Sequence, residues 1–148
     1  MPGDTNHLGS IFGGKVMQYI DTTAAVAAMR HARRVCVTAS IDRLDFHVPI
    51  AAGHIVILQA SVNRAFGTSM EVGVRVERED PLTGERARTA SAYLTFVALD
   101  ERRRPVAVPP VQPESEAEQR RYREAGARRA RRLAPADPDP GDDPCPTA

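Results

Sequence analysis

The chain has 148 residues, 42% of them hydrophobic but only 5% aromatic and none tryptophan, enough for one domain whose core rests on Val, Ile, Leu, Met and Ala. A net charge of +1 favours neither a nucleic-acid binder nor a strongly acidic scaffold. Cys36 and Cys145 make no metal spacing and no disulfide framework, the opening MPGDTNHLGS lacks the pattern of a signal peptide, and no 18-residue apolar stretch exists. The expectation is therefore a cytoplasmic protein with no membrane span.

The first 14 residues read as a glycine-rich loop. A helix follows over residues 15–30, about 24 Å long at ~1.5 Å per residue. It is apolar over more than half its circumference, so it needs more cover than one face of a small sheet supplies. Near the middle of its apolar arc sits Asp21, whose nearest neighbours in angle are Ala28, Met17, Ala25, Ala24 and Gln18. A lone buried carboxylate is costly unless it is paired, protonated or solvated inside a site, which makes Asp21 a functional candidate.

After residue 34 the period changes to two. Val35, Val37, Ala39 and Ile41 share one face of a strand, and the apolar phase then moves to Leu44 and Phe46, which calls for a bulge or bend near Asp42 and Arg43. Further strands are expected over residues 54–64 (Val56, Leu58, Ala60 and Val62 on one face), 70–77 (a half-solvated strand with Met70, Val72, Val74 and Val76 inward) and 88–99 (Ala90, Ala92, Leu94, Phe96 and Ala98 inward). A short last strand is expected over 105–108. Gly67 marks a short reversal and residues 80–84 a turn.

One long helix followed by about five antiparallel-compatible strands suits a curved sheet wrapped around that helix; a flat sheet with an oligomer interface over the helix is the alternative. Residues 114–132 form a charged, helix-permissive segment with acidic residues first and seven arginines after, an order that suits the helix macrodipole. It is expected to be a solvated terminal helix, with contact to ligand phosphates, nucleic acid or an acidic partner as alternatives. Residues 134–148 hold five prolines and four aspartates and read as disordered. The chain divides into a domain over 1–110, a charged helix or extension over 111–133 and the tail.

Residues 4–14 (DTNHLGSIFGG), Asp21, residues 37–42 (VTASID), Phe46, Pro49, Gly53 and residues 67–72 (GTSMEV) together resemble the acyl-CoA thioesterases of the hotdog fold, in particular the bacterial cytoplasmic and brain-type acyl-CoA hydrolases. The resemblance covers residues 2–99. It implies an α+β hotdog fold, a curved antiparallel sheet of about five to six strands around one long central helix. It further implies a homo-oligomer with the dimer as minimal active unit, commonly a hexamer as a trimer of dimers, and hydrolysis of acyl-CoA to CoA and a carboxylic acid at the dimer interface. Asn6 and Asp21 would then act together from opposite subunits.

The residue types suit that chemistry. Asp21 can deprotonate an attacking water, with desolvation moving its pKa toward a useful range, or attack directly to form an anhydride. Asn6 offers both donor and acceptor, or simply caps its loop. Gly13 and Gly14 precede the helix, where free N–H groups can hold an oxyanion, or merely permit tight entry. By the same resemblance Gly67, Thr68 and Ser69 lie near the CoA pantetheine and nucleotide, and Arg64 and Arg88 are candidates for its phosphates. Relatives often carry a basic residue before the Thr-Ser-Met-Glu run, where this chain has Phe66 and Gly67; the 120–132 arginines are a possible substitute.

Met17, Met29, Phe46 and Phe66 are candidates to close an apolar acyl tunnel. His7, His31, His47 and His54 have no metal spacing, and no cofactor is implied, CoA being part of substrate and product. No Ser-centred nucleophile elbow is present. Dehydration of a 3-hydroxyacyl thioester, which wants a histidine beside the acid, and a non-catalytic thioester-binding module are the competing functions.

Overall fold

The computed structural model of the chain describes residues 2–134; the expected Pro/Asp-rich tail lies, from residue 135 on, outside them. A 3-10 turn at Pro2–Asp4 leads through a loop to α1 (Gly13–Ala32). Then come β1 (Val35–Phe46), β2 (Ile55–Phe66), β3 (Ser69–Glu79), β4 (Arg86–Leu99) and α2 (Glu116–Leu133). The strands form one antiparallel sheet in the order β1-β4-β3-β2, with α1 against one face.

The roughly five strands expected from the alternation, and the five to six implied by the resemblance, reduce to four. Segment 105–108 makes a single bridge, Pro105 to Leu99, while the Val106 and Val108 N–H groups donate to the carbonyls of Ala98 and Gly67. Pro105 brings no N–H, and Pro109 and Pro110 stop the segment before a ladder can extend.

The core lies between α1 and the sheet. α1 buries every fourth residue, Val16, Ile20, Ala24, Ala28 and Ala32, and the run of alanines lets the sheet approach closely. Opposite stand Met70, Val72, Val74 and Val76 of β3 and Ala90, Ala92, Leu94, Phe96 and Ala98 of β4, the faces that the period of two predicts; Val56, Leu58, Ala60 and Val62 of β2 complete the core. The rest of α1's apolar surface is uncovered within one chain: Met17, Tyr19, Val26 and Met29 are exposed, as are Val35, Val37 and Ile41 on the edge strand β1.

Strand β1 carries two one-residue register shifts, at Ala39 and Asp42, where one bulge near Asp42 was expected. Both insert a residue on β1, so together they move the register by two residues and restore the facing, and Cys36 and Leu44 pack on the same core. β2 and β3 join through a two-residue turn, with Phe66 paired to Ser69 and Gly67 at φ 67°. Positive φ at the first central residue alone is the type II′ arrangement, which favours glycine there. At the end of α1, Arg33 adopts the left-handed conformation and its N–H donates to the Met29 carbonyl, while His31 Nε2 lies 2.8 Å from the Pro109 carbonyl.

The second helix corrects the sequence expectation most. α2 is not a solvated terminal helix: one side of it docks on the sheet face opposite α1. Arg128 donates twice to Glu71, from Nε at 2.9 Å and Nη2 at 2.7 Å, and lies over the Tyr93 ring at 3.6 Å. Glu71 is 2% exposed and also accepts from Asn63 Nδ2 at 2.9 Å, so the strand expected to be half solvated has its polar side covered here. Arg132 donates to Asp42 and Thr95, and Arg129 to Ser69. Burial alone would lower the Arg128 pKa, but the hydrogen bonds and charge of Glu71 hold the guanidinium above its ordinary value. At the helix start, Ser115 and Glu118 close a capping box. A pattern search misses this docking because the contacts are made by arginines, whose stems and planar heads cover a polar sheet face without any apolar stripe.

Candidate active site

Asp21 lies one residue beyond the buried stripe of α1, on the side where the helix is uncovered, and is half buried. It is therefore less enclosed in one chain than its place on the apolar arc implies. Thr38, on the edge strand β1, donates from Oγ1 to Asp21 Oδ1 at 2.6 Å. Asp21 Oδ2 has no hydrogen-bond partner among the described residues, so one carboxylate oxygen is anchored and the other is available. Sequence reasoning missed this use of Thr38. In the alternation it is one polar residue among several, and only the packing of β1 beside α1 singles it out.

Asn6 organises the opening loop. Its Oδ1 accepts from the N–H groups of Leu8 at 2.9 Å and Ser10 at 3.3 Å, and its Nδ2 donates to Ser10 Oγ at 3.1 Å. Two backbone donors on one atom fix which end of the amide is oxygen. The side chain thus performs the loop-capping role, and its one remaining N–H is what it can offer to a substrate. No hydrogen bond joins Asn6 to Asp21 within the protomer, among the described residues.

The loop ends where α1 begins. Phe12 precedes the helix in extended conformation with no side-chain cap, leaving Gly13 and Gly14 exposed in the first turn. No acidic side chain stands in that turn, so the positive end of the helix is unneutralised by its own sequence. Beside Gly13 opens an apolar cavity of about 280 Å³, between the start of α1 and residues 46–50. Phe46 lines it, its ring 3.7 Å from where a side chain on Gly13 would begin. Of the other candidate tunnel residues, Met17 and Met29 lie on the exposed side of α1, and Phe66 stacks with Arg64 and Arg129 beneath α2.

The residues assigned to CoA separate into two places. Gly67 and Thr68 form the exposed β2–β3 turn, and Ser69, buried beside it, accepts from Arg129 at 3.1 Å. Arg64 stands close by, over the Tyr122 ring at 4.3 Å, and borders an open groove with Arg123 and Arg129. Arg88 does not join them. It pairs in register with Glu77, near the opposite end of β3, and lines a different cavity with Arg75, Arg120 and Arg121. Among the described residues no three His, Cys, Asp or Glu side chains gather as a metal set, and no helix is long and apolar enough to cross a membrane.

Residues 8–85 match the family model described as the thioesterase superfamily, more than half of the chain. The chain belongs to this superfamily. Within it the thioesterase stands among the hotdog-fold acyl-CoA hydrolases. It is 50% identical to an uncharacterized acyl-CoA thioester hydrolase of Bacillus subtilis, over 79% of this chain and 68% of that protein. Mammalian relatives are longer: the chain spans 23% of mouse acyl-coenzyme A thioesterase 11. Among solved structures it is similar to an apo-hexameric acyl-CoA thioesterase (50% identity, TM-score 0.87, 89% of this chain and 85% of that one). It is also similar to the Staphylococcus aureus acyl-CoA hydrolase in complex with butyryl coenzyme A, coenzyme A and coenzyme A disulfide (44%, TM-score 0.84, 89% and 80%). That hydrolase has also been solved as three single alanine variants, at an asparagine, an aspartate fifteen residues later and a threonine seventeen residues after that. Asn6, Asp21 and Thr38 stand at the same two intervals.

Proposed function

We propose that this thioesterase hydrolyses acyl-CoA to CoA and a carboxylic acid at a site shared by two protomers, with Asp21 as the reacting carboxylate. The observation that carries the reading is the Thr38 to Asp21 bond at 2.6 Å, on the helix side left uncovered, with Oδ2 free to act. In the general-base route Oδ2 takes a proton from water as the water oxygen attacks the thioester carbon. The resulting oxyanion is held by N–H groups at Gly13 and Gly14; collapse expels the CoA thiolate, which is then protonated. In the covalent route Oδ2 itself attacks and water later opens the anhydride. A single turnover in ¹⁸O-water separates the two, since only the covalent route can leave label in Asp21. Asn6, with its carbonyl committed to the loop, acts as a donor to the substrate carbonyl or to the water.

Asn6 and Asp21 do not meet in one chain, which supports their acting across an interface. The apolar residues left exposed on α1 and β1 are suited to a second copy. The hexameric state of one similar thioesterase, and of another from Yersinia pestis, supports a trimer of dimers, and similarity to the cytosolic acyl coenzyme A thioester hydrolases of rat, mouse and human supports a cytoplasmic location. For the CoA portion the turn at Gly67, Thr68 and Ser69, with Arg64, Arg123 and Arg129 along one groove, forms the coherent set. Arg88 serves only if the nucleotide reaches the far end of β3. Residues 1–110 are the catalytic domain and α2 an extension docked on it.

Dehydration is disfavoured because the group bonded to Asp21 is a threonine rather than a histidine. Free-thiol release from a panel of acyl-CoAs tests the proposal: Asp21→Asn loses at least a hundredfold in kcat with the oligomer intact, and Asn6→Ala loses activity too. Equal rates in wild type and Asp21→Asn would exclude the assigned role, and CoA-ester binding without turnover in wild type would favour a binding module.

A further inference from the structure

Gly126 stands well inside α2, between Ala125 and Ala127, at a place where alanine is the better helix former and glycine weakens the helix. It makes no turn and no cap, so something else must account for it. A methyl group on Gly126 would overlap Arg64 Nη1 and stand 3.4 Å from Arg64 Cζ, and it would meet no other part of the fold within 4 Å. The missing side chain of Gly126 is therefore the space that the Arg64 guanidinium fills.

The strand explains how an arginine arrives there. Val62 packs on the core under α1, and regular alternation would send Arg64 the same way. The β2–β3 register slips between Val62 and Arg64, leaving Asn63 without an opposite. Arg64 then pairs with Glu71, whose side chain meets Arg128 of α2, so both point to the face that α2 covers. There the Arg64 guanidinium lies 4.3 Å from the Tyr122 ring centre and 5.2 Å from that of Phe66, and Nη1 donates to the Tyr122 carbonyl at 3.5 Å. Tyr122 is one turn before Gly126 on the same side of the helix, so bare backbone at Gly126 lets the planar head sit against α2.

Arg64, Arg123 and Arg129 border the groove beside this seat. Among the described residues no carboxylate pairs with any of the three, whereas Arg128 and Arg132 of the same helix are each bound to one. Guanidinium groups without a counter-charge along one groove attract an anion, and their planar forks fit phosphate oxygens. We propose that Gly126 is a positioning residue, seating the Arg64 guanidinium so that its remaining N–H groups meet the phosphates of the CoA nucleotide. This role rests on the proposed use of the groove for CoA and deepens it, because it makes α2 a part of the binding site. A head already held by two rings and a helix carbonyl loses less freedom when the phosphate arrives. Alanine at 126 suits the helix but evicts the guanidinium, since the far end of the arginine is what must move.

The test compares wild type, Gly126→Ala, Arg64→Ala and the double variant. Each is followed by thermal unfolding, by calorimetric binding of CoA, and by thiol release from an acyl-CoA and from the same acyl group on pantetheine, which lacks the nucleotide. Gly126→Ala keeps Tm or raises it by up to about 4 °C. It raises KM for acyl-CoA and Kd for CoA about tenfold, while kcat for acyl-CoA and kcat/KM for acyl-pantetheine stay within about twofold. Added to Arg64→Ala, it produces no further loss, because it acts only through that arginine. Unchanged KM and Kd in Gly126→Ala, an equal loss on both esters, a Tm lowered by more than about 2 °C, or the same loss with and without Arg64 overturns the assignment. If wild type releases no thiol from any ester, hydrolysis itself is refuted. The CoA affinities of the four proteins then decide the role of Gly126 separately, a loss confined to proteins that keep Arg64 supporting it and equal affinities, or no binding to wild type, overturning it.

Discussion

Replacing Arg128 by methionine isolates the contact that binds α2 to the sheet. The substitution keeps an unbranched stem against the Tyr93 ring but removes both hydrogen bonds to Glu71, at 2.9 and 2.7 Å. Glu71 is then a carboxylate 2% exposed with Asn63 as its remaining partner. Leaving one member of a buried pair costs about 3–5 kcal/mol, and the surviving Asn63 bond places this case near 3. Loss of the cation–π contact with Tyr93 adds about 0.5–1 kcal/mol. For a chain of this size that lowers Tm by roughly 7–16 °C. The assay is thermal unfolding followed by circular dichroism at one fixed protomer concentration, because Tm of an oligomer varies with concentration. Adding Glu71→Gln to Arg128→Met removes the stranded charge and recovers at least half of the loss. A single variant within 2 °C of wild type, or a double variant no better than the single, refutes the view that charge compensation holds α2 in place.

Two further outcomes follow from the site and from α2. Thr38→Val keeps the shape of the side chain and frees Asp21 Oδ1; it lowers kcat about tenfold with little change in Tm, and an unchanged kcat would show that Thr38 does not orient the carboxylate. The Glu118 pKa is lowered, chiefly by the backbone N–H of Ser115 and then that of Glu114. Its folded value thus lies below the unfolded one, and its contribution is full above the ordinary glutamate value and is lost as pH falls through the lowered one. Hydrogen-exchange protection factors in the first turn of α2, corrected for the intrinsic pH dependence, should fall over that acidic window in wild type and show no such step in Glu118→Gln.

Much of this molecule is written locally. The period of two along β3 and β4 fixes which side chains meet α1, since alternation leaves no other face for Met70, Val72, Val74 and Val76. The change of phase after Ile41 announces a disrupted ladder, although only the paired strands reveal two shifts that together move the register by two residues. The 105–108 segment has the alternation of a strand, but a proline without an N–H and four residues of length defeat it. α2 misleads for a different reason: hydropathy registers arginines as solvent-facing, and their pairing with Glu71, Asp42 and Ser69 depends on a sheet face more than forty residues away in sequence.

The sequence by itself determined the fold class, the helix that carries Asp21 and the family motifs, because helical and strand periods and short glycine-bearing signatures are properties of neighbouring residues. Tertiary structure alone decided that Thr38 anchors Asp21, that Asn6 spends its carbonyl on its own loop, that Arg88 stands apart from the Gly67 turn, and that α2 docks on the sheet through its arginines. Each of these depends on which segments lie side by side across the sheet and on where a ladder slips by one residue, and neither quantity has a local signal in the chain.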